Sequence, residues 1–200
     1  MKWRLCGGES IAEKLIIKPE RIQLESETLI LRPLLEQDSE SLYKNVKEYE
    51  IAKWTINIPH PYPEDDAINF IKESQEHMEK GLAYHFAILL KDTSELVGVM
   101  SLIGVNKKHK NAELGYWISK RYWNKGIATE AASKMLEFGF RNLDLQRISA
   151  RCFQDNDSSI RVMAKIGMEY EGRFRKEILR ENKFIDMIYY AILKKDWRKG

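Results

Sequence analysis

Ala112-Glu113-Leu114-Gly115-Tyr116-Trp117-Ile118-Ser119 runs into Lys120-Arg121-Tyr122-Trp123-Asn124-Lys125-Gly126-Ile127-Ala128-Thr129-Glu130-Ala131, and the reading of this stretch decides the fold. Its first eight residues read as a strand, and helical periodicity sets in at Ile127. Ala128, Ala132, Leu136 and Phe140 recur four apart, with Ile127, Ala131 and Met135 on the adjoining stripe, so a helix from Ile127 to Phe140 buries a wide face. A strand that ends in a short turn before a helix opened by glycine and small residues leaves unpaired backbone N–H groups above the helix end. Such a site suits an anion. Gly126 has no Cβ and Ala128 is small, so a pyrophosphate has room to approach the backbone, with about 0.3 to 1 kcal/mol from the helix dipole. The stretch is not a Walker loop, because neither Ser nor Thr follows Lys125, and it is not a Gly-x-Gly-x-x-Gly fingerprint.

Outward from this segment, strands and helices alternate. Upstream, Glu27 to Leu34 reads as a strand that alternates through Thr28, Ile30 and Arg32. Asp38-Ser39-Glu40 opens a helix with Leu42, Tyr43 and Val46 in phase, and Pro63-Glu64-Asp65-Asp66 opens another with Ala67, Phe70 and Ile71 on one face. Trp54 to Pro63, with His60 and three prolines, reads as an irregular loop. Tyr84 to Leu90 and Leu96 to Val105 read as strands joined by the polar hairpin connection Lys91 to Glu95. Downstream, Arg147 to Phe153 is a strand, and the capping residues Asp155-Asn156-Asp157-Ser158 precede a short helix, Ser159 to Ile166, ended by Gly167. Met168 to Leu179 and Lys183 to Leu193 close the chain as strands around the turn Arg180-Glu181-Asn182. The expectation is an α+β domain around one sheet of about seven strands with about four helices.

Two hundred residues, at roughly 150 per domain, make one domain with an appendage. Residues 1–24, with scattered charge, Gly7-Gly8 and Pro19, are set apart as the appendage and 25–200 as the domain. Lys plus Arg is 33 against 30 Asp plus Glu, a net of +3, and 44% apolar residues exclude a disordered chain. The charge is uneven. From Glu36 to Lys80 eleven acids face five lysines, a net of −6, and from Arg173 to Gly200 nine bases face four acids, a net of +5. No concentrated basic stripe marks a direct nucleic-acid binder. The longest apolar runs, such as Phe86 to Leu90, fall far short of the roughly 20 residues that span a bilayer. The patch Leu15 to Ile17 is too short for a signal-peptide core, so a cytoplasmic location is expected. Cys6 and Cys152 build neither a disulfide framework nor a zinc site, and no metal is expected.

A second motif, Asn156-Asp157-Ser158-Ser159-Ile160-Arg161-Val162-Met163-Ala164-Lys165-Ile166-Gly167-Met168, joins the first, and together they resemble the GNAT acetyltransferases, in particular the RimJ/RimL-type branch of ribosomal-protein N-terminal acetyltransferases. The resemblance spans Glu27 to Trp197, about 85% of the chain, and carries Tyr170-Glu171-Gly172 and Asp186-Met187 with it. It implies a GNAT-like single domain with a mixed, mostly antiparallel sheet. It also implies acetyl-CoA as donor, its pyrophosphate held by backbone donors at Asn124, Lys125, Gly126, Ile127, Ala128 and Thr129, and its pantetheine arm reached by Asn156, which as a helix cap serves both purposes. Trp123 stands where many members have Arg or Gln, and Asn124 replaces a frequent glycine, which points to a slightly different path for the start of the loop.

The implied activity is transfer of an acetyl group to a primary amine, foremost a protein N-terminal amine, with polyamines or other small amines as the alternative acceptor and an acyl-CoA-binding module without turnover as the alternative class. The amine must be neutral, the carbonyl oxygen needs a donor and the departing thiolate a proton. A lysine amine near 10.4 is neutral in roughly one molecule in 2,500 at pH 7, whereas an N-terminal amine near 7.7 to 8.0 is roughly a tenth neutral. Glu113 is the candidate base, acting through water, against an ordinary surface role. Many members carry an acid tyrosine at the position of Met163; Ser159 is the serine that the RimJ/RimL branch offers instead, against a plain capping role. Tyr116, Tyr170 and His85 read as packing residues. The backbone N–H near Ile118, beside a bulge expected at Leu114-Gly115, is the oxyanion donor by resemblance. A homodimer is admitted among the partners.

Overall fold

The computed structural model describes residues 22–197, so residues 1–21 of the expected appendage, Cys6 included, lie outside the described part. Ile22 is already buried in the core. The elements run β1 (Leu24–Glu25), β2 (Leu29–Pro33), α1 (Ser39–Val46), α2 (Tyr49–Trp54), α3 (Glu64–Lys80), β3 (Tyr84–Leu90), β4 (Leu96–Asn106), β5 (Asn111–Ile118), α4 (Ile127–Arg141), β6 (Arg147–Phe153), α5 (Asp157–Lys165), β7 (Glu169–Arg180) and β8 (Lys183–Leu193). Eight strands form one sheet in the order β1-β2-β3-β4-β5-β6-β8-β7. Every neighbouring pair is antiparallel except β5 and β6, which α4 connects as a crossover. The α+β fold stands as expected, with one strand and one helix more than the patterning showed. β1 has two residues and α2 six, too few to display a period.

Strand alternation sorts the side chains into two cores. Phe86, Ile88, Met100, Leu102, Leu114, Ile118 and Ile148 meet α4 and α5 on one face. Ala87, Leu89, Val99 and Trp117 meet Leu42 and Val46 of α1, Ile51 of α2 and Ala67 and Ile71 of α3 on the other. At the entrance to α1 the Arg32 guanidinium donates to both oxygens of Asp38, at 2.7 and 2.8 Å, and the Leu35 N–H donates to the same carboxylate at 2.8 Å. A β-hairpin closes the chain through Glu181 and Asn182, whose φ of +47° and +60° give the turn expected there.

The sheet does not stay whole. β5 and β6 pair from Asn111↔Arg147 to Leu114↔Ala150 and then part: β5 continues against β4 as far as Gly98↔Ile118, and β6 against β8 as far as Phe153↔Met187. The bulge expected at Leu114-Gly115 is absent. β4 and β5 keep register from Leu102↔Leu114 to Gly98↔Ile118, and their irregularity falls between Ile103 and Asn106, at Gly104 with φ +60°. An unpaired stretch of β5 opens the sheet, not an extra residue.

Gly98 holds β5 close at that end, because a Cβ there would lie 2.4 Å from the Trp117 carbonyl oxygen. Gly98→Ala is expected to destabilise the chain by about 1 to 3 kcal/mol, read as a lower urea midpoint at unchanged m value. On the α3 face, His85 Nδ1 lies 2.8 Å from Ser101 Oγ, and burial, with His77 nearby, pushes the imidazole down to about 4. The unfolded chain takes up this proton from pH 6.5 downward and the folded chain does not. The unfolding free energy is therefore expected to fall by about 3 kcal/mol between pH 6.5 and 4, and urea titrations of His85→Gln should show a smaller fall.

Candidate active site

The β5–α4 turn builds one wall of the site. Gly126 caps α4 at φ +83°, Glu130 N–H is the first to find an intrahelical carbonyl, that of Gly126, and Asn124 takes φ +61°. Asparagine enters this left-handed region more readily than other side chains, so Asn124 follows the path a glycine would take. The departure at that position leaves the loop intact. Trp123 anchors it by donating its indole Nε1–H to the Ile118 carbonyl at 2.7 Å. Glu130 ties the first turn of α4 to the start of β2 by accepting from Thr28 N–H and Oγ1–H, both at 2.8 Å.

α5 builds the opposite wall. Asn156 Oδ1 accepts from Ser159 N–H at 3.1 Å, so the residue is the cap expected of it, and its Nδ2 makes no hydrogen bond among the described residues. Between the walls lies a cavity of about 530 Å³ lined by Ile118, Asn124, Lys125, Gly126, Ile127, Ala128, Thr129, Asn156 and Ser159. These are the residues named from the sequence, with Glu113 left out. A Cβ built on Gly126 meets nothing within 4 Å, so the cavity floor there is bare backbone. The unpaired N–H groups of the first turn of α4 fit a pyrophosphate, and Lys125, with Arg161 and Lys165 of α5, brings positive charge to the same walls.

The parting of the strands supplies further donors. Ser119 N–H donates to Val97 O at 2.8 Å, so in the antiparallel alternation the hydrogen-bonded partners of β4 are Ser119, Trp117 and Gly115. The N–H groups of Tyr116 and Ile118 then face the side that β6 has left. Ile118 N–H, expected as the oxyanion donor, thus faces the opening, with no bulge needed to turn it there.

Glu113 is placed differently from the other candidates. It precedes the parting and shares the α1–α3 side of β5 with Gly115 and Trp117, where its carboxylate accepts from Arg151 Nε at 3.1 Å. Arg151 also donates to Tyr189 Oη at 3.0 Å and bridges to Glu177. Tyr170 is 57% exposed and meets Tyr190 only edge-to-face, short of the packing role expected of it, whereas His85 is held by Ser101 and packs as expected. Tyr116 does more than pack. It lines the cavity and donates its hydroxyl to Ser159 Oγ at 3.1 Å.

The resemblance puts the loop from Trp54 at the lip of the acceptor cleft, but the sequence did not show α2 as a separate helix or Glu50 and Ile51 as lining. Glu50, Ile51, Trp54 and Thr55 line the cavity from the far face of the sheet, so the cavity connects the two faces. Glu50 is ion-paired to Lys120, which joins α2 to the β5–α4 turn. Arg180, at the tip of the β7–β8 hairpin, donates to the carbonyls of Lys53 and Ala52 at 2.7 and 2.8 Å and caps the C-terminal end of α2. No short-range pattern links these residues, since Arg180 lies 127 positions from Lys53.

Comparison with known proteins places this geometry. The family model described as "Acetyltransferase (GNAT) domain" matches residues 28–169. The uncharacterized N-acetyltransferase YnaD of Bacillus subtilis is 34% identical over 88% of this chain and 99% of its own. The ribosomal-protein-serine acetyltransferase of Escherichia coli is 26% identical over 83% and 93% respectively. A solved GNAT acetyltransferase of Bacillus anthracis superposes with a TM-score of 0.77 at 31% identity, covering 87% of this chain and 99% of that one.

Gly126→Ala tests the backbone cradle. A Cβ costs about 1 to 2 kcal/mol of left-handed strain and projects into the cavity, so calorimetric CoA affinity should fall at least tenfold while the thermal midpoint drops only a few degrees.

Proposed function

The chain belongs to the GNAT acetyltransferase family and is an N-acetyltransferase with acetyl-CoA as its donor, and from that premise we propose that its acceptor is the α-amine of a protein N-terminus of ribosomal-protein type. The observation that carries this reading is the acidity of the face from which the acceptor approaches. Glu50 lines the cavity with its charge met by Lys120, and the loop that leaves it at Thr55 leads to Glu64, Asp65 and Asp66, exposed or half-buried in the first turn of α3 and without an ion pair among the described residues. Carboxylates so grouped attract a cationic polypeptide end by a field that fades over about 8 Å at physiological salt. An N-terminal amine also asks least of a base, being roughly a tenth neutral at pH 7. The Escherichia coli relative is named for a ribosomal-protein serine.

Acetyl-CoA supplies the activated acetyl group when bound. In this reading the N–H groups at Lys125 to Thr129 hold the pyrophosphate, Asn156 Nδ2 holds the pantetheine arm, and Ile118 N–H supports the developing negative charge on the carbonyl oxygen. Glu113 takes the amine proton through water on the acceptor side of β5, and Ser159 Oγ serves the departing sulfur. A ribosomal acceptor puts the reaction in the cytoplasm; among the described residues no helix is long and apolar enough to cross a membrane.

Free-thiol release from acetyl-CoA is the test, with three acceptors: a peptide carrying a free α-amine and basic residues, the same peptide α-acetylated, and spermidine. Release with the first alone is expected. Turnover of spermidine without the peptide would move the acceptor to small amines, and no release with any amine would leave a binding module. Raising NaCl from 0.05 to 0.5 M should raise the peptide KM several-fold with less effect on acetyl-CoA, and joint neutralisation of Glu64, Asp65 and Asp66 should mimic it.

A further inference from the structure

Ser159 is fixed from two sides. Its N–H is committed to Asn156 Oδ1 at 3.1 Å, and its Oγ accepts from the Tyr116 hydroxyl at 3.1 Å, across a separation of 43 residues. A serine hydroxyl has one hydrogen and two lone pairs, so a hydroxyl that accepts from Tyr116 keeps its own hydrogen free. Serines inside helices commonly spend that hydrogen on the carbonyl four residues back; Ser159 Oγ donates to nothing among the described residues. Both residues line the cavity.

We propose that Tyr116 is a positioning residue whose hydroxyl holds Ser159 Oγ as a fixed hydrogen-bond donor to the sulfur of CoA. The proposal rests on the reading of this cavity as the acetyl-CoA site. Tyr116 suits the task because it does not lose its proton at any working pH. Burial, with Cys152 nearby, outweighs the opposing effect of the Ser159 hydrogen bond and pushes the phenol up to about 12. Tyr116 therefore never competes as a base and always has a hydrogen to offer Ser159. With tyrosine donating to serine, the serine hydrogen is left for the cavity. A donor held in a desolvated site favours the anionic form of what it faces, so it favours CoA as thiolate over CoA as thiol. The pair thus eases departure of the sulfur as an anion, with no proton transferred by the tyrosine itself.

The pH dependence of CoA binding tests this without turnover. Calorimetric affinities for CoA and for desulfo-CoA, which lacks the thiol, would be compared between pH 6.5 and 9.5. In the wild-type chain the ratio of the two should rise about tenfold with pH, as a thiol whose ionisation is eased by one unit requires. In Tyr116→Phe, which removes only the hydroxyl, and in Ser159→Ala the ratio should stay flat. Both variants should lower kcat at unchanged acetyl-CoA KM, and the double variant should lose no more than the worse single one. A Tyr116→Phe protein that keeps the wild-type rise, or losses that multiply in the double variant, would overturn the proposal. If the wild-type chain binds CoA and acetylates no amine, the functional reading fails while the affinity ratio still decides the role of Tyr116.

Discussion

Two strands that begin as hydrogen-bonded neighbours go separate ways after Leu114 and Ala150, and the site depends on that lost pairing. A sheet interior normally leaves no backbone group unpaired, yet here the alternation of β5 turns the N–H groups of Tyr116 and Ile118 toward space that β6 has vacated. Each strand is held on its outer side. β5 is fixed to β4 through the close approach of Gly98 to Trp117, and β6 to β8 out to Phe153↔Met187. Because α4 starts just beyond β5 and α5 just beyond β6, the two ends that part deliver two helix N-termini to the same opening. The donors at Gly126 and the cap at Asn156 face one another for that reason.

The two sides of the opening are built from different materials. Toward α4 the cavity is made of backbone N–H groups and small residues, which tolerate changes of side chain as long as Gly126 and Asn124 keep their left-handed geometry. Toward α1–α3 it is made of side chains: Trp54, the Glu50–Lys120 pair, and the Arg180 guanidinium that pins the β7–β8 hairpin to the carbonyls ending α2. On the proposed reading, the donor is held by backbone and the acceptor met by side chains, so that acceptors change while the donor stays fixed.

Much of this was legible in the sequence, for physical reasons that also mark where legibility stopped. α4 announces itself because eight of its residues are buried in helical phase, and Gly126 and Asn156 because helix ends demand special residues. The succession of elements along the chain followed from alternation and from polar connections such as Lys91 to Glu95. What stayed hidden is what needs three dimensions. The six residues of α2 show no period, and the contact of Tyr116 with Ser159 joins residues 43 apart. Glu113 was visible as a strand carboxylate, but its partner Arg151 lies on the parallel neighbour, and its distance from the cavity wall could be learned only from the sheet. A bulge was expected at Leu114-Gly115, whereas register with β4 is kept and the pairing with β6 simply stops.

The central claim is that the donor occupies the parting between β5 and β6 with its phosphates on the first turn of α4. Amide hydrogen exchange with and without CoA tests it most directly, because every group invoked is a backbone N–H. The account predicts slowed exchange at Tyr116, Ile118 and Lys125 to Thr129, with no comparable change in β1 to β3. Protection confined to α1–α3 or to the β7–β8 hairpin, with those amides unchanged at saturating CoA, would contradict it.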